Sequence, residues 1–96
     1  MIYLAQSLIS INDRSVELRW NRNLESDLAG YIVYMSIADE KHFERVTPVP
    51  LPEPVFVSPL LRPDTRYYFQ VSAIDSSGNE SPRSPVVEYS LPDYSI

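Results

Sequence analysis

The sequence predicts an all-β domain, an antiparallel sandwich of seven strands in two sheets, and three observations predict it. Apolar and polar residues alternate at a period of two in the clearest segments, no stretch carries the 3.6-residue period of an amphipathic helix, and turn-forming residues separate short segments at regular spacing. Composition agrees: only two glycines but nine prolines and seven tyrosines suit pleated, half-buried surfaces.

The first strand is a weak one over residues 5–11. The second is the clearest: Val16, Leu18 and Trp20 fall on one face and Glu17 and Arg19 on the other. The third, residues 31–35, is apolar on both faces as a central strand would be, with Tyr31, Val33 and Met35 as the inner set. Weaker strands are expected over residues 43–47 and 54–58. Over residues 67–73 the alternation returns, with Tyr67, Phe69, Val71 and Ala73 inward and Tyr68, Gln70 and Ser72 outward. A last strand covers residues 85–91.

The connections fit this order. Residues 21–27 form a polar loop, with Gly30 releasing the chain into the third strand, and residues 75–79 are a turn cluster. Proline at every second position over residues 48–54 forces an extended path without ladder donors, which predicts a stiff crossover at a sheet edge. Residues 92–96 read as an exit toward whatever follows.

With 96 residues and 11.0 kDa, residues 1–96 make one small domain, expected to be excised from a larger multidomain protein. The absence of cysteine excludes disulfides and thiolate chemistry. A net charge of −5 and a pI near 4.6 argue against nucleic acid and anionic membrane surfaces as partners. No window reaches the roughly 18 apolar residues of a membrane span, and the opening residues lack the pattern of a signal peptide.

Leu61, Pro63, Thr65 and Tyr67 stand at alternate positions running into a strand. That arrangement lets a chain cross between sheets while the tyrosine hydroxyl bonds back to upstream backbone, a tyrosine corner. Together with Trp20 in the second strand, Gly30 to Tyr34 in the third, Val71 and Ala73, and the turn from Asp75 to Ser81, it makes the chain resemble the fibronectin type III domain. The resemblance implies an immunoglobulin-like β-sandwich with an interior built on Leu18, Trp20, Tyr31, Val33, Leu61, Tyr67, Phe69 and Val71. Residues 26–31 are similar to modules appended to secreted and cell-envelope bacterial proteins, including polysaccharide-degrading enzymes.

The implied function is a noncatalytic spacer or protein-docking unit of a larger extracellular or cell-envelope protein. The alternative is a carbohydrate-binding accessory module of a secreted polysaccharide-degrading enzyme. The implied partners are neighbouring domains or another protein, or a polysaccharide. Neither nucleic acid nor membrane insertion is expected, and the chain should be a monomer or associate weakly through a sheet edge. The turn from Asp75 to Ser81 lacks the Arg-Gly-Asp tripeptide of integrin-binding relatives, and a single tryptophan excludes the Trp-Ser-x-Trp-Ser signature of cytokine receptors.

The candidate interaction face is formed by Ile32, Tyr34 and Tyr68. The resemblance makes the third and sixth strands neighbours, so these outward residues would share one exposed face, with tyrosine favoured in contacts for its large area and low entropy cost. Trp20 reads as a core residue rather than a sugar platform.

No catalytic, cofactor or metal site is expected. His42, beside Asp39, Glu40 and Glu44, lacks a second histidine or any cysteine, and Asp75 to Glu80 misplaces the glycine and glutamate of a calcium loop. No serine lies in a Gly-x-Ser-x-Gly elbow, and acid pairs such as Glu25 with Asp27 read as solvated loops. Pro82 to Pro85 reads as edge protection rather than a proline-binding-domain ligand. Asn79-Glu80-Ser81 matches a glycosylation sequon that Pro82 disfavours.

Overall fold

Two ten-residue strands, β3 (Leu28–Ile37) and β6 (Arg66–Asp75), form the backbone of the fold. The computed structural model describes residues 7–12, 15–59 and 61–90, and around that pair it places β1 (Ser7–Asn12), β2 (Ser15–Arg19), β4 (Glu44–Arg45), β5 (Val55–Val57) and β7 (Val87–Ser90). Ala5, Leu91 and the exit at residues 92–96 lie outside the described residues. The strands build two antiparallel sheets, β1-β2-β5 and β4-β3-β6-β7, and no helix occurs among the described residues. Seven strands in two sheets is the architecture the alternation predicts.

The register follows from the side chains. Tyr31 pairs with Ala73, Val33 with Val71 and Met35 with Phe69, so the inner sets of β3 and β6 meet on one face. Val16 and Leu18 of β2 and the following Trp20 close the other side. All eight residues assigned to the interior from the sequence are buried in one cluster, with Val16 and Ala73 added and Met35, half-buried, packed against it. Trp20 stands edge-on to Tyr31, ring centres 5.4 Å apart, the geometry that aromatic quadrupoles favour.

Gly30 has a different role from the one expected. It lies inside β3, next to a register shift between Leu28 and Gly30, rather than ahead of the strand. A Cβ there would sit 2.7 Å from Pro50 Cβ and 2.8 Å from the Leu51 carbonyl oxygen, so glycine is required by the close approach of the proline-rich segment. That segment bridges the sheets as expected. Leu51 exchanges backbone bonds of 2.8 and 2.9 Å with Tyr31 at the edge of β3, and the Pro54 carbonyl then accepts the Trp20 N–H in the other sheet at 3.2 Å.

Tyr67 forms the corner. Its hydroxyl accepts the Arg62 N–H at 2.7 Å across a turn in which Asp64 takes a positive φ of 57°. Tyr67→Phe keeps the ring and strands that donor, so urea unfolding should show a loss of about 1–2 kcal/mol with an unchanged slope.

β4, β5 and β7 are shorter than the segments predicted for them, and one local device explains where they stop. The Ser84 N–H donates to the Val71 carbonyl at 2.7 Å, the Val71 N–H donates to Ser84 Oγ at 2.9 Å, and the hydroxyl donates onward to the Pro85 carbonyl at 3.2 Å. Ser81-Pro82 makes the same three bonds with Ala73, and Ser58-Pro59 makes them with Val16. At Thr47-Pro48 the hydroxyl likewise accepts the Val33 N–H, at 3.1 Å. In each case a side-chain oxygen takes the place of a main-chain carbonyl, the strand rotates out of the ladder, and the next residue offers no donor to a further strand. Ser84→Ala leaves the buried Val71 N–H without an acceptor and should cost about 1–2 kcal/mol by the same measurement.

The sandwich has two poles. One carries the β2–β3 and β6–β7 loops and the start of β1, since Ser7 pairs with Arg19. The other carries the tyrosine corner and the end of β7, since Ser90 pairs with Arg66.

Candidate interaction face

The outer face of the β4-β3-β6-β7 sheet holds the three residues singled out from the sequence. Ile32, Tyr34 and Tyr68 alternate with the core residues and share this face, where Ile32 pairs with Ser72, Tyr34 with Gln70 and Tyr68 with Ser36. They are not exposed, however: relative exposures are 0% for Ile32, 8% for Tyr34 and 5% for Tyr68. The reason is a cover of polar and charged side chains, largely supplied by the segment that follows the β6–β7 turn.

That cover is tightly bonded. The Arg83 guanidinium lies 3.7 Å from the centre of the Tyr34 ring, a cation-π contact, and the Tyr34 hydroxyl donates to Glu80 Oε2 at 2.5 Å. Ser72, itself fully buried, donates to the same oxygen at 2.6 Å. Gln70 Nε2 donates to the Ser84 carbonyl at 3.0 Å, and Arg66 and Glu88 approach within 3.8 Å beside Tyr68. Exposed Arg45, Glu80, Arg83 and Glu88 therefore form the solvent-facing layer above the tyrosines.

Electrostatics follow the geometry. Partial burial pushes the Glu80 carboxyl up, but hydrogen bonds from Ser72 and Tyr34 and the charges of Arg83 and Arg45 outweigh it and hold the group below its ordinary 4.5. Burial, then the hydrogen bond to Glu80, raises Tyr34. A carboxyl with a depressed folded value stabilises the fold above its unfolded value and loses that contribution as pH falls through the lowered one. The stability difference between wild type and Glu80→Gln should accordingly be largest at neutral pH and shrink below pH 4.5, read from urea midpoints across the acid range.

The other candidates stay apart. His42, its side chain 79% exposed, hydrogen-bonds through Nδ1 to Asp39 Oδ2 at 2.8 Å in the β3–β4 loop. Asp39 also accepts the Lys41 and His42 N–H groups and the Ser36 hydroxyl. The Lys41 bond first, then His42, bring its pKa down to about 2. Asp75 caps the β6–β7 turn by accepting the Ser77 and Asn79 N–H groups, with Gly78 at a φ of 89°. A 190 Å³ hollow beside it is lined by Asn23, Glu25, Leu28, Asp75, Asn79 and Glu80. A 420 Å³ hollow at the opposite pole is mainly apolar, between Met35, Ile37, Pro59, Leu61 and Tyr67.

Alternation alone marks neither Glu80 as the clamp of this face nor the four hydroxyls that end the strands. The hydroxyls did leave a signal, since each directly precedes a proline.

Residues 6–89 match the family model of the fibronectin type III domain. The chain belongs to the fibronectin type III family. Solved structures show the same fold. An Fn3-like protein from Clostridium thermocellum matches with a TM-score of 0.75 at 17% identity, over 100% of this chain and 97% of that chain. A β-1,2-glucanase from Parabacteroides distasonis matches with a TM-score of 0.74 at 20% identity, over 99% of this chain but 13% of the glucanase. The FN1–FN3 domains of chicken CNTN1 match with a TM-score of 0.74 at 26% identity, over 91% of this chain and 30% of that one. No curated protein matches the sequence. Fibronectin type III domains are commonly spacing or docking units of multidomain proteins and are generally noncatalytic.

Proposed function

We propose that this fibronectin type III domain is a noncatalytic module of a larger extracellular or cell-envelope protein, where it spaces neighbouring domains and docks against them. The observation that carries the reading is the placement of β1 and β7: the first strand starts at one pole and the last ends at the other. Domains attached before and after it are then held apart by the length of a ten-residue strand, about 33 Å. Small-angle scattering on the domain with a compact reporter fused at each end tests this. The expected result is two reporters separated by at least that length. Reporters in contact would overturn the spacing role.

Docking is assigned to the sheet carrying Ile32, Tyr34 and Tyr68. The tyrosines act from beneath, holding Arg45, Glu80, Arg83 and Glu88 in a preorganised charged layer that offers complementary pairing to a neighbour. Reversing two of these charges, Arg45→Glu with Glu88→Lys, should change the domain arrangement of the parent protein in the same scattering measurement, and an unchanged profile would remove this face from the reading.

The likeness to part of a glucanase supports the polysaccharide alternative, but sugar stacking needs an open aromatic plane. The Tyr34 ring is already covered by Arg83, and Tyr68 is buried. Titration with glucans, xylans and chitin should show no binding.

A further inference from the structure

The core layer runs short at the pole that carries the tyrosine corner. Ile37 continues the inner set of β3 and pairs with Tyr67, but it is 54% exposed where Tyr67 is 4% exposed. Beside them opens the 420 Å³ hollow, walled by Met35, Ile37, Leu61 and Tyr67 and rimmed by Arg62 and Thr65. An apolar side chain placed there would leave water without any strand having to move. The Arg62 N–H is committed to the Tyr67 hydroxyl, but the guanidinium forms no ion pair among the described residues. The hollow thus combines an apolar floor with one available cation at its rim.

β7 delivers the chain to this place. Ser90, at its end, pairs with Arg66, which stands in sequence between the rim residue Thr65 and the wall residue Tyr67. The residues that follow are Leu91-Pro92-Asp93-Tyr94-Ser95-Ile96, with three apolar side chains and a single charge, opposite in sign to that of Arg62. The walls on β3 stand two strand spacings from β7, about 10 Å, whereas six residues can span about 20 Å.

We propose that residues 91–96 dock in this hollow, with Tyr94 between Met35, Ile37 and Leu61 and Asp93 on the Arg62 guanidinium. Attachment at Ser90 favours this segment over an unattached partner, because it supplies the occupant at an effective concentration of about millimolar. Charge favours it as well: the molecule as a whole carries −5, and Asp93 meets the cation at the rim. Pro92 fixes one backbone angle between β7 and the hollow and so reduces the entropy lost on docking. The role rests on the spacing function proposed for the domain: a held exit sets the direction in which a following domain leaves, and not only its distance.

Backbone amide relaxation on the chain through residue 96 tests the proposal. The Asp93, Tyr94 and Ser95 amides should have order parameters of about 0.8 at every protein concentration. The Ile37 δ-methyl resonance should be displaced by the Tyr94 ring, and Tyr94→Ala should abolish that displacement. Ile37→Ser changes an exposed residue, and Arg62→Glu keeps the backbone bond to Tyr67, so both variants should fold and lower the three order parameters below about 0.6. Arg62→Glu combined with Asp93→Arg should restore them. Wild-type values below about 0.6, values that rise only with concentration because another copy's tail fills the hollow, or values unmoved by Ile37→Ser and Arg62→Glu would each overturn it. The scattering separation of the two reporters measures the spacing function independently, so either reading can fail alone.

Discussion

Trp20→Ala is expected to cost about 3–5 kcal/mol, read as a fall in the urea midpoint, and to leave the domain partly unfolded without denaturant. The indole is 4% exposed, sits where β2 leaves its sheet and meets Tyr31 edge-on, so its removal opens a void in the layer between the sheets. A domain of this size has about 5–15 kcal/mol in total, and one deletion of this kind takes up a large part of it. Trp20→Phe separates packing from hydrogen bonding. Nε1 is buried without a partner, so phenylalanine loses volume and edge-to-face contact but no hydrogen bond, and about 1–2 kcal/mol is expected.

Gly30→Ala should have the second largest effect, about 3 kcal/mol, although it adds a single carbon. The new Cβ would be 2.7 Å from a proline ring carbon and 2.8 Å from a backbone carbonyl, and neither belongs to a flexible side chain that can swing away. Relief requires moving the segment at Pro50 and Leu51, which is tied to Tyr31 by a reciprocal pair of backbone bonds. The expected signature, beyond the lower midpoint, is faster exchange of the Leu51 and Tyr31 amides relative to those of β6. Unchanged stability would mean that the crossover is looser than these distances imply.

Alternation made the interior legible. Once Val16, Leu18 and Trp20, or Tyr67, Phe69 and Val71, are read as strand, the pleat leaves no freedom over which residues share a face, and each of these is buried. The corner was legible too, because Leu61, Pro63, Thr65 and Tyr67 carry their own spacing. Exposure was not. The pattern says that Ile32, Tyr34 and Tyr68 face away from the core but not that Glu80 and Arg83 fold back over them, since that cover depends on contacts as many as 46 residues apart. The strand ends failed for a related reason: Ser84 and Thr47 were visible beside their prolines, but their acceptor role depends on Val71 and Val33 in other strands.

The opposite placement of the first and last strands also determines how tension travels through the molecule. A pull on both ends runs along the strands, so the rungs between β1 and β2 are loaded in shear and resist together rather than opening one at a time like a zip. Because β1 and β7 belong to separate sheets and no rung joins them among the described residues, the load passes from one half to the other through greasy contacts around the indole and through the crossover bonded to Tyr31 on one side and Trp20 on the other. Stretching the chain therefore loads the layer between the sheets as well as the ladders within them.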